Sequence, residues 1–149
     1  RCRLVLEIAK ELKQKVDLSL IVRISADEWM NKGWNINDSI YLSKELEKIG
    51  VNAIHVSSGG NKEKTDNSPE LKPLYQSNWA KQIKKEINIP VIAVGLITTA
   101  IEGEKLLEEK YCDFVAYGRE LLRSPNFAFY AANEFKEKDK INSSYQRAF

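Results

Sequence analysis

Long apolar runs are absent from this chain. No segment approaches the roughly 20 continuous apolar residues that a membrane-spanning helix requires, and the first sixteen residues lack the apolar centre of a secretory signal. Cysteine is scarce: Cys2 and Cys112 lie far apart, form no metal-ligand spacing, and read as reduced thiols rather than a disulfide framework. No metal site and no membrane partner are expected, and the expected location is cytoplasmic. An excess of one charge is missing too. With 23 Lys and Arg against 21 Asp and Glu, the net charge is only +2, and most of these charges sit on helical faces such as EIAKELKQK and KQIKKEI. That leaves no basic field for nucleic acid.

What is present suffices for a core. A 43% apolar fraction in 149 residues has the composition and length of one folded domain. The elements alternate along the chain. Residues 1–16 carry Leu4, Leu6, Ile8 and Leu12 among charges, a helical spacing, and 18–25 follow as the strand LSLIVRIS. A second helix is expected from an N-cap at Asn37 or Asp38 to a stop at Gly50. The strand VNAIHVSSGG, a polar loop over 61–74 and the helix SNWAKQIKKEI come next. IPVIAVG, TTAIEGEKLLEEK, CDFVAYG and NFAFYAANEFKE then continue as strand, helix, strand and closing helix, the last introduced by Pro125.

Strands alternating with helices at this spacing specify an α/β fold with a parallel sheet and right-handed crossovers. Two architectures fit: an open doubly wound sheet, or four βα units of a (β/α)8 TIM barrel. Polar residues inside the strands favour the barrel. Arg23 and Ser25 share one face of the first strand, His55 and Ser57 one face of the second, while Val22, Ile24, Ile54 and Val56 point to the helices. A complete barrel takes about 250 residues, so four strands make half of one. The runs ending at Gly95 and Gly118 would converge at the C-terminal rim, where barrel enzymes bind ligands.

VRIS, VSSGG, AVGLI, YGRELLRSP and the terminal YQRAF, in this order and at these intervals, resemble the C-terminal half of the Old Yellow Enzyme family, and within it the short branch of NADPH dehydrogenases that act as flavin-dependent ene reductases. The resemblance covers essentially the whole chain, 1–149. It implies the fifth to eighth strands of a TIM barrel that holds FMN, is reduced by NADPH and is reoxidised by an α,β-unsaturated carbonyl compound. It also implies that the family's tyrosine proton donor and substrate-binding histidines come from strands outside this chain, so no catalytic residue is assigned here.

The chemistry of the matched positions follows. A flavin phosphate at a barrel rim is held by backbone N–H groups that glycine lets approach, which Gly95 and Gly118 would provide. Arg119 adds a permanently charged fork for phosphate oxygens; read singly, these residues are a strand-end turn and a surface salt bridge. Arg23, inside an apolar run, needs an acceptor. The resemblance places it against the pyrimidine end of the flavin, where its charge favours the anionic reduced form; otherwise it pairs with a carboxylate on a neighbouring strand. Ser57 matches a family position near the flavin, or else its hydroxyl bonds main chain. His55 is expected to be structural, and Trp29, Trp34 and Trp79 to serve as lids or packing.

Arg147 matches an arginine that, in the short branch, reaches from one subunit into its neighbour's active site, and Phe149 would dock beside it. RAF stands where the family more often has glycine and tryptophan. A homo-oligomer is therefore expected. Two other readings stay open: a non-catalytic half-barrel that self-associates through its uncovered edges, and a phosphosugar-binding barrel enzyme, which would have no use for Arg23 or Arg147.

Overall fold

The computed structural model describes residues 1–61 and 63–148. Helix α1 (Arg3–Lys15) leads into strand β1 (Ile21–Ser25), followed by α2 (Ile36–Ile49), β2 (Ala53–Ser57), α3 (Ser77–Lys84), β3 (Val91–Ala93), α4 (Ala100–Glu108) and β4 (Phe114–Val115). A short helix α5 (Arg119–Arg123) and then α6 (Phe127–Glu134) close the fold, and two 3-10 turns, Lys138–Lys140 and Gln146–Ala148, form the tail.

All strand pairs are parallel and the spatial order is β1-β2-β3-β4, the order of the chain. A doubly wound sheet reverses direction at a switch point. This sheet does not, and monotonic parallel order is what a segment of a (β/α)8 barrel has. The fold is the C-terminal-type half barrel of four βα units that the strand chemistry predicts.

The register separates two faces. Ile24, Val56, Ala93 and Val115 align across the sheet, and the first three are buried beneath the helices with Ile54 and Val91. Arg23, His55, Ile92 and Phe114 align as a row on the opposite face, which would line a barrel interior. From the outer side, Leu42 and Leu46 of α2, Ala80 and Ile83 of α3, and Leu106 of α4 complete one continuous core.

Local chemistry explains where the elements begin and end. Helix α2 starts two residues earlier than the sequence suggests: Asn35, not Asn37 or Asp38, is the N-cap. Its side chain accepts from the Asn37 N–H, and the Asp38 carboxylate accepts from the Asn35 N–H, so Asp38 is the N3 half of a capping box. Gly50 ends the helix in the left-handed region at φ 93°. Helix α4 has the same device in Thr99 and Glu102. The strands are shorter than their apolar runs; residues 18–20 lie outside β1, and β4 keeps two residues. Asp113 anchors the start of β4 by accepting from the Val91 N–H at 2.8 Å and pairing with Lys84 at 2.6 Å. Both cysteines are free, and burial pushes the Cys112 thiol up to about 11. Among the described residues, no helix is long and apolar enough to cross a membrane.

Candidate functional site

The turns that follow β3 and β4 enclose a cleft of about 230 Å³. Arg23, Gln76, Gly95, Thr98, Gly118 and Arg119 are among its walls, so four of the five residues predicted to contact the flavin meet in one place. Arg123 also lines it, but Glu120 holds that guanidinium at 2.5 Å. Arg119 is exposed and belongs to none of the ion pairs among the described residues, which leaves its fork available to an anion. Three arginines against one glutamate make this cleft cationic. A larger cleft of about 730 Å³ lies among residues 28–34 and Asp66; it is walled by rim loops and contains no predicted ligand-binding residue.

The two glycines serve different physical needs. Gly95 has φ +125°, and a Cβ there would come within 2.9 Å of both Cβ and Cγ of Gln76. A side chain is excluded both by backbone conformation and by this close packing. Gly118, the residue before α5, has no atom within 4 Å of a would-be Cβ, so the space beside its backbone is open to a ligand. The hydroxyls beyond Gly95 are already engaged: Thr99 caps α4, and Thr98 donates from both N–H and Oγ1 to Glu102. They orient the turn.

Gln76 is the residue sequence reasoning missed. It is buried, its amide nitrogen lies 2.5 Å from the Tyr75 hydroxyl, and its amide oxygen is buried without a partner among the described residues. A buried amide group left unpaired costs stability unless water or a ligand satisfies it. The signal lay in the pair Tyr75–Gln76 at the foot of a helix, but nothing in the local sequence shows that Gln76 folds over Gly95, nineteen residues later.

Arg23 stands on the inner face, exposed, with its charge felt by His55 beside it. The alternative of a carboxylate on a neighbouring strand is not realised among the described residues: none of their ion pairs includes Arg23. The cation is therefore aimed at the open interior. Burial, and after it the Arg23 charge, lowers the His55 pKa below its ordinary value, and the His55 Nε2 has no hydrogen-bond partner among the described residues.

Ser57 lies outside the cleft. Its hydroxyl donates to the Ile24 carbonyl at 2.9 Å and ties β2 to β1, so the oxygen can act toward a ligand only as an acceptor. Arg147 also lies apart, exposed in the Gln146–Ala148 turn. That turn is anchored by the Gln146 amide donating to the Ile141 carbonyl and by the Phe129–Tyr145 ring pair at 5.3 Å. Phe149 lies outside the described residues. Trp29 packs on Gly59 and stands 6.4 Å from the Tyr75 ring, as expected of a rim residue.

Comparison with known proteins agrees with this fold. The NADPH dehydrogenase of Bacillus cytotoxicus is 36% identical over 148 residues, 99% of this chain and 42% of the relative. That of Listeria monocytogenes is 34% identical over 149 residues, 100% of this chain and 43% of the relative. The chain thus spans less than half the length of these curated relatives. Among solved structures, a 2-naphthoyl-CoA reductase complex superimposes with TM-score 0.77 at 19% identity over 93% of this chain and 22% of that one. The histamine dehydrogenase of Rhizobium sp. 4-9 gives 0.74 at 17% identity over 91% of this chain and 20% of that one. At such identity these two show the fold alone. The family model described as the NADH:flavin oxidoreductase / NADH oxidase family matches residues 1–138, and the chain belongs to that family.

Proposed function

We propose that this chain is the flavin-phosphate-binding half of an FMN-dependent NADPH dehydrogenase that reduces α,β-unsaturated carbonyl compounds. The supporting observation is the cationic cleft at the ends of β3 and β4, where the unpaired Arg119 fork, the open space at Gly118 and the unsatisfied Gln76 amide converge. The residues suit FMN: a phosphate monoester takes the guanidinium and N–H donors, and a polyhydroxyl chain takes the remaining amide hydrogen bond. When bound, FMN would supply hydride acceptance from NADPH and hydride delivery to the enone.

This chain's residues bind, orient and polarise. Arg119 and the Gly118 N–H would hold the phosphate at the rim. Gln76, pinned by Tyr75 and packed on Gly95, would fix the adjoining chain of the cofactor. Arg23 projects its charge into the interior, where it favours negative charge on whatever lies against it. Ser57, its proton spent on the Ile24 carbonyl, can only accept. In a homo-oligomer, Arg147 on its anchored tail turn would reach a neighbouring subunit's site.

The test joins this chain to the first four βα units of the Bacillus cytotoxicus relative. The expected product retains FMN through gel filtration and oxidises NADPH when given a cyclic enone. A folded chimera that carries no flavin overturns the reading. One that binds flavin but reduces no enone corrects the substrate class alone.

A further inference from the structure

Tyr117 stands between two residues that line the cationic cleft, Ala116 and Gly118, but does not line it itself. Its side chain is engaged elsewhere. The hydroxyl donates to the Thr99 carbonyl at 3.2 Å, and the ring lies 4.5 Å from that of Phe127 at the start of α6. The hydroxyl end is seated over Gly103 of α4. Thr99 is the N-cap of α4 and follows Thr98, which lines the cleft from the β3–α4 turn. One side chain therefore joins that turn to the β4–α5 turn.

Gly103 has no other explanation in the structure. It lies within a helix, where glycine is less favourable than alanine, and its φ is not in the left-handed region that favours glycine. A Cβ there would overlap the Tyr117 hydroxyl oxygen and come within 3.1 Å of its Cζ. The missing side chain is what seats the tyrosine. The Gly103 N–H donates to the same Thr99 carbonyl at 3.3 Å, so amide, carbonyl and hydroxyl meet at one point. Burial first, and then the Glu102 charge, raise the Tyr117 pKa above its ordinary value, which keeps the hydroxyl protonated and a donor.

The wall that carries Arg119 has few other ties. Strand β4 pairs with β3 over two residues, and the Ala116 N–H donates to the Ala93 carbonyl at 2.8 Å. Beyond that point, α5 is five residues long and has no side-chain cap at Gly118. We infer that Tyr117 is a positioning residue: it braces the Gly118–Arg119 wall against the Gly95–Thr98 wall and so sets the spacing at which the cleft grips an anion. An anion that takes donors from both walls loses affinity when the walls drift, because hydrogen bonds weaken steeply with distance and angle. The ligand in this inference rests on the proposed function; the brace rests on Tyr117, Thr99 and Gly103.

Tyr117→Phe removes the hydroxyl and keeps the ring. In the purified chain, followed by flavin fluorescence, it should weaken FMN binding by roughly fivefold or more and leave riboflavin binding where it is. Gly103→Ala should weaken FMN binding likewise by displacing the hydroxyl, although alanine ordinarily suits a helix better. The double variant should bind FMN no more weakly than Tyr117→Phe, since both changes break one contact. With no ligand present, the NMR signals of the Gly118 and Arg119 amides should shift in Tyr117→Phe and exchange faster with solvent. Unchanged FMN affinity in Tyr117→Phe, equal losses of FMN and riboflavin, additive losses in the double variant, or unmoved amides would each overturn the brace. A parent chain that binds neither FMN nor inorganic phosphate would overturn the phosphate reading instead, and the amide signals would still decide the brace.

Discussion

Arg23 and His55 stand side by side in one row of the inner face, and each reports on the other. His55 is the sole histidine of the chain, so its ring signals in an NMR titration are unambiguous. Burial first, and then the Arg23 charge, hold its folded pKa below 6.5. The histidine thus favours the folded state fully above its unfolded pKa; that contribution is lost as pH falls from 6.5 through the folded value, because the unfolded chain takes the proton first. Arg23→Ala should move the folded titration upward by removing the second cause; an unmoved titration would show that the two side chains do not interact. In a flavin-loaded barrel the same substitution should lower the flavin midpoint potential more than it lowers affinity, since the charge chiefly favours the reduced anion. A spectroscopic redox titration without a shift would remove Arg23 from that role.

At the scale of elements, the β3–α4 turn carries the site. Gly95→Ala forces a Cβ into the left-handed region and onto Gln76, and is expected to cost about 1–3 kcal/mol in chemical denaturation while displacing the Gln76 amide. An unchanged denaturation midpoint would mean that the turn relaxes freely. The alternation of strands and helices was legible because each run of apolar residues is bounded by a polar, capped or glycine-ended segment. The meeting of the two rim glycines and Arg119 in one cleft was legible too, since adjacent parallel strands that each end in glycine bring those ends to the same rim. Element ends were not: the Asn35–Asp38 capping box moved the start of α2, and the pairing of strands, rather than apolarity, set the length of β1 and β4. Gln76 was hidden because its role arises from a contact between segments nineteen residues apart, and Ser57 was placed on the right strand end but spends its proton on the Ile24 carbonyl.

For the whole molecule, the proposal is that this half of a flavin barrel carries a complete phosphate grip. Arg119, Gly118, Gly95 and Gln76 all come from this chain, so the grip should act without the other four βα units, although weakly. Titration of the purified chain, followed by flavin fluorescence, compares FMN with riboflavin, which lacks the phosphate. The account predicts that FMN binds and is displaced by inorganic phosphate, that riboflavin binds more weakly, and that Arg119→Ala removes about 2–4 kcal/mol from FMN binding alone. Equal binding of the two flavins, indifferent to phosphate and to the loss of Arg119, would contradict it.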